Sequence, residues 1–130
     1  METSKFYVKI VGIIFDPKKR KLLIGKNVGD ERYSFLEGDL GYEQELDEKL
    51  KEVTKEKTGY KVHNLGAVYA ENMLKNQEKL KIHFLCEATE GEEKPGENVE
   101  KLVWVKPSEI EEKLGVKLPS RLRGYLIGLE

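Results

Sequence analysis

Residues 37–60, EGDLGYEQELDEKLKEVTKEKTGY, hold the densest set of side chains able to do chemistry. At about 100° per residue, Glu45, Glu48, Glu52 and Glu56 line one face of a helix, roughly opposite a stripe of Leu46, Leu50 and Val53. Glu48, Glu52 and Glu56 stand four residues apart, so neighbouring heads are close. Stacked carboxylates can hold a hard divalent cation, because Mg²⁺ prefers oxygen ligands. They can equally be a solvated face balanced through the Glu45–Lys49, Asp47–Lys51 and Glu52–Lys55 spacings. Spacing alone favours the solvated face.

Other candidates are sparser. Tyr33 and Phe35 could frame a base-stacking pocket, although strand aromatics more often join a core. Lys26 could meet a substrate or be an ordinary surface lysine. The run 18-KKRK-21 could touch phosphates, but its place in a turn favours solvent. Trp104 and Cys86 are expected in the core. His63 and His83 have no partner motif and are expected to be structural.

These residues need a frame. Residues 5–15 read as a strand rich in β-branched and aromatic side chains. A turn containing Pro17 leads to a second strand at 21–25, making a hairpin. A polar loop at 27–33 precedes a short strand from Tyr33 to Leu36 and a turn at 38–41. The helix is expected over 44–58, stopped by Gly59. Strands at 61–72 and 78–88, joined through 74–79, suit antiparallel pairing. Residues 89–98 read as a mobile acidic loop, 99–105 as another strand. Short helices are expected from Pro107 and from Pro119, the last with Leu122, Tyr125 and Leu126 on one face. The order β-β-β-α-β-β-β-α-α favours a mixed sheet with helices on its faces.

The chain has 130 residues, which suits one domain over 1–130. Its 38% hydrophobic content is enough for a core. A net charge of -1 excludes a strong global field for nucleic acid or an anionic membrane. One cysteine excludes an internal disulfide, and two histidines argue against a Cys/His zinc site. The longest apolar run, Ile10 to Phe15, is too short to span a bilayer, and the N-terminus lacks a signal-peptide apolar region. A cytoplasmic protein with no membrane partner is expected.

Three stretches together resemble the Nudix hydrolases across nearly the whole chain. They are 8-VKIVGIIFDPKKRKLLIGK-26, 33-YSFLEG-38 with the segment to Gly59, and 100-EKLVWVKPSEI-110. The resemblance implies an α/β (α+β) fold, a Nudix-like α/β/α sandwich with a mixed β-sheet. It also implies Mg²⁺- or Mn²⁺-dependent hydrolysis of a nucleoside diphosphate linked to another moiety.

The family's box is G-x5-E-x7-R-E-U-x-E-E-x-G-U, where U is apolar. Gly38 to Gly59 has the box's length, but its interior is degenerate. Without a gap, Gln44 falls on the first Glu, Glu52 on the Arg, Val53 on the next Glu and Lys57 on the last. A one-residue shift instead matches Glu43, Lys51, Glu52 and Glu56, with Lys55 in place of the remaining Glu. The shifted register is preferred, because it keeps Val53 on the apolar face.

Carried over in that register, Glu52 and Glu56 are the catalytic and metal-ligating candidates, joined by the backbone carbonyl of Glu37. Glu97 or Glu100 would be the general base, and Lys26, Tyr33 and Phe35 would bind substrate. A small nucleotide is the expected partner, nucleic acid the less favoured one, and the chain is expected as a monomer or homodimer. Lys55, Lys51 and Leu36 depart from the pattern, and Lys55 is placed to pair with Glu52. They motivate an alternative: a catalytically inactive Nudix-fold module that binds a nucleotide or RNA. A third reading is a homodimer joined through a sheet edge.

Overall fold

The computed structural model describes residues 7–41, 43–73 and 79–130. Six strands form one mixed sheet: β1 (Tyr7–Asp16), β2 (Lys21–Asn27), β3 (Leu36–Leu40), β4 (Tyr60–Met73), β5 (Lys79–Gly91) and β6 (Val99–Val105). The order is β4-β5-β1-β2-β6. β1 runs parallel to β5 and antiparallel to β2 and β3. Its first half pairs with β3, from Val8 opposite Leu40 to Gly12 opposite Leu36. Its last residues, Ile14 to Asp16, pair with β2. β4 and β5 form the expected antiparallel pair. The connection expected at 74–79 lies, apart from Lys79, outside the described residues, as do residues 5 and 6 of the expected first strand.

Helices cover both faces, as a mixed sheet with two apolar sides requires. Strand alternation divides the core. Ile10, Ile14, Leu23, Leu36 and Phe84 face α1 (Leu46–Thr58), where Leu50 is buried. Val11, Ile13, Leu22, Ile24 and Leu85 face α2 (Ile110–Leu114) and α3 (Ser120–Ile127). A 3₁₀ turn at Pro107–Glu109 leads into α2.

Several expectations are revised. The strand expected at 33–36 lies at 36–40; Ser34 contributes only an isolated bridge to Gly25. The turn expected at 38–41 is therefore mostly strand. Tyr125 is 40% exposed, while Leu122 and Leu126 are buried. Trp104 is only half-buried, because its indole N–H reaches outward and donates to Glu93 Oε1 at 2.7 Å.

Residues 92–98 are strapped to the end of α1. Lys94 N donates to the Thr58 carbonyl at 2.9 Å and Gly96 N to that of Lys57 at 3.1 Å. Helix ends leave carbonyls without intrahelical partners, and the loop supplies them. Gly59 completes the stop with φ 83°, a conformation that favours glycine.

Candidate functional site: the inner face of α1 and a cavity across the sheet

The way α1 meets the sheet is set by two strand glycines. A β-carbon on Gly12 would lie 3.1 Å from the Thr54 methyl, and one on Gly38 would collide with the Val53 side chain. Both glycines let the helix approach closely. Val53 is thus the α1 side chain that fills the space over Gly38. Thr54 and Thr58 are also fully buried, their hydroxyls donating to the carbonyls of Leu50 and Thr54 at 3.0 and 2.6 Å. Back-bonding of this kind lets a hydroxyl enter an apolar layer.

The carboxylate row lies elsewhere. With Leu50 pointing at the sheet, Glu52 points about 160° away by helical geometry. Its side chain is 58% exposed and pairs with Lys49 at 3.6 Å. Glu56 is exposed too. Asp47–Lys51 forms as expected, at 3.1 Å, and holds the Asp47 carboxyl below its usual range. The other two expected pairs give way. Lys49 takes Glu52, and Lys55 donates to the Gly59 carbonyl at 3.3 Å, away from Glu52.

Among the described residues, no three His, Cys, Asp or Glu side chains gather as a metal-holding group. Mg²⁺ keeps several of its waters and takes only one or two protein carboxylates beside substrate phosphates. In the shifted register Val53 is the box's apolar residue, and the exposed Glu52 and Glu56, one turn apart on α1, suit that demand; Glu52 is paired with Lys49. Lys26 pairs with Glu100 at 3.9 Å, and Glu97 is exposed in the 92–98 segment.

Glu37, Tyr33 and Phe35 do come together, on the opposite face. Leu36 and Gly38 face α1, so the intervening Glu37 faces the other way. There a cavity of about 590 Å³ opens between β3, β5 and the α2–α3 segment. Tyr33, Phe35, Glu37, Lys81 and His83 line its sheet side; Arg32 and Lys117, both exposed, belong to its rim. Phe35 is buried and meets the His83 ring edge-on at 6.5 Å.

The Glu37 carboxylate, 29% exposed, is gripped from two sides. Lys81 Nζ lies 3.0 Å from one oxygen and Lys9 Nζ 3.6 Å from the other. His83 is 6% exposed, and its Nδ1 is buried with no hydrogen-bond partner among the described residues. Burial, reinforced by the charge of Lys81, pushes its pKa down, which favours the neutral imidazole. Lys81 and His83 were not singled out from sequence as site residues. The available signal was their period-two alternation with Leu80, Ile82 and Phe84, which puts them on one sheet face.

The fold matches solved structures. Over 96% of this chain and 72% of the other, it superposes on a NUDIX hydrolase from Nitrosomonas europaea with TM-score 0.79 and 13% identity. An ADP-ribose pyrophosphatase from Streptococcus suis matches over 96% and 89% of the two chains, with TM-score 0.71 and 18% identity. A MutT protein from Methanosarcina mazei matches over 99% and 96%, with TM-score 0.70 and 15% identity. The sequence matches no protein-family model and no curated protein. The chain therefore has the Nudix fold, a six-stranded mixed sheet between helices, as its sequence resemblance implied. At such identities the likeness establishes fold, and function has to be argued from the site.

Proposed function

We propose that this Nudix-fold protein binds a nucleotide or a closely related phosphorylated compound in the cavity across the sheet from α1, as a binding module without metal-dependent hydrolysis. The observation that carries the reading is the cavity itself. Its size falls in the range of small-molecule sites, at roughly 300–1,000 Å³. Aromatic, acidic and imidazole groups inside it and cationic groups at its rim suit a ring joined to a phosphate chain. Against hydrolysis stand Lys55, a cation where the shifted register has a glutamate, and the pairing of Glu52 with Lys49 at 3.6 Å. The cytoplasm is the proposed location, in keeping with a small-nucleotide ligand.

A second reading is hydrolysis of a nucleoside diphosphate derivative. The row Glu48, Glu52 and Glu56 favours it, and Glu52, Glu56 and the Glu37 carbonyl would hold Mg²⁺ or Mn²⁺ there. Calorimetric titration with nucleoside diphosphates, run beside a turnover assay with either metal, separates the two. Binding in the micromolar range, equal in the parent and in E52Q/E56Q, with no turnover in either, is the expected result. Turnover abolished by E52Q/E56Q would establish the hydrolase.

A further inference from the structure

The position of Glu37 is unusual on physical grounds. A strand residue facing a partly apolar cavity would pack well as Leu or Val, and a half-buried carboxylate carries a desolvation cost that ion pairing offsets only in part. Lys81 and Lys9 hold both of its oxygens in place and neutralise its charge. An ionised carboxylate has about four acceptor positions, so two lysines leave some for a ligand. On β5, Lys81 and its neighbour on the same face, His83, line the same cavity. The buried, unpartnered Nδ1 of His83 is a second polar atom that lacks a bond. Such an orphan destabilises the fold until something satisfies it.

Lys9 is shared with Asp39 at 3.9 Å, and Glu71, opposite Lys81 in the sheet, also lines the cavity, so two lysines meet three carboxylates; this end is an acceptor surface and does not suit phosphate. The exposed Arg32 and Lys117 provide the phosphate end. Building on the nucleotide-binding reading above, we infer that Glu37 is the specificity-determining residue of the cavity: its carboxylate accepts from two adjacent N–H donors on a ring, the edge a guanine presents and adenine, hypoxanthine and uracil do not. A carboxylate matches a cyclic N–H beside an amino group in a two-pronged contact, whereas a single donor uses only one oxygen. Tyr33 and Phe35, beside Glu37 in the wall, supply aromatic surface for the ring.

The test is calorimetric titration of the whole protein with guanosine, inosine, adenosine and uridine 5′-diphosphates, without metal. Guanosine and inosine diphosphate differ only by the amino group. Guanosine diphosphate is expected to bind about tenfold or more tighter than the other three, the discrimination a good two-pronged contact gives. E37Q, with native folding checked by near-ultraviolet circular dichroism, should bring the four affinities within about threefold of one another. Equal binding of all four by the parent would overturn the inference and leave nucleotide binding standing. A preference for guanosine diphosphate that survives in folded E37Q would overturn the role of Glu37. Binding of none at millimolar concentration would overturn the nucleotide reading and this inference together. The parent comparison needs no variant, so it holds even where E37Q does not fold.

Discussion

At the scale of single residues, the contact between Gly38 and Val53 sets how closely α1 packs on the sheet. Val53 is 6% exposed and occupies the space into which a Gly38 β-carbon would project. In the shifted alignment with the Nudix box, Val53 takes the apolar position, and its burial is what that register requires. G38A should destabilise the protein by about 1–3 kcal/mol, since overpacking forces side chains or backbone to shift. V53A makes room, so the double variant G38A/V53A should be clearly more stable than the sum of the single losses predicts. Urea midpoints of the four proteins measure this; strict additivity would show that the two residues do not press on one another. The presence of carboxylates on this helix was legible from sequence, and so was its apolar stripe. Which lysine pairs with which glutamate was not, because i,i+3 and i,i+4 partners are nearly equivalent on an isolated helix. In the folded chain Lys49 takes Glu52, and Lys55 takes a backbone carbonyl.

At the scale of elements, the segment after β5 behaves differently from its composition. TEGEEKPGEN is rich in charge, Gly and Pro, which signals a mobile loop. Instead β5 extends to Gly91, and Lys94 and Gly96 donate to carbonyls at the end of α1. Hydrogen exchange should therefore find these two amides protected well above those of the exposed Glu92 and Glu97, in the same segment. Equal, rapid exchange of all four would mean that the strap opens freely. β3 was displaced for a related reason. Gly38 and Asp39 signal a turn locally, yet Gly38 pairs with Ile10 and yields space to Val53. Long-range pairing overrode a turn signal that had no partner to weigh it against.

At the scale of the whole molecule, burial in the layer beneath α1 sets a response to alkaline pH. Cys86 is fully buried there, and burial, helped by the charge of Asp47, pushes its thiol from an ordinary 9.0 up to about 12. The folded chain keeps a proton that the unfolded chain gives up. The stabilisation is complete below pH 9.0, declines above it and is lost as pH passes about 12. Tyr60, raised mainly by burial and then by the nearby Glu93, acts in the same direction. The parent should therefore lose stability between pH 8 and 10.5 more steeply than C86A, whatever the baseline of that variant. Identical slopes in denaturant titrations at a series of pH values would contradict a proton held by the fold.

Periodicity, glycine placement and motif length were enough to read the element order, the mixed sheet with helices on its faces and the likeness to the Nudix box. The pairing of β4 with β5, the apolar stripe of α1 and its stop at Gly59 were likewise readable from local pattern. Which way the functional groups face came only with the packed fold. Leu36, Glu37 and Gly38 are consecutive, yet they serve opposite sides of the sheet, and Glu37 meets Lys9 and Lys81 from two other strands. Glu52 and Glu56 remain outside because Leu50, Val53 and Thr54 own the buried side of the same helix. A periodic pattern fixes the faces of an element; what lies across each face depends on strands distant in the chain.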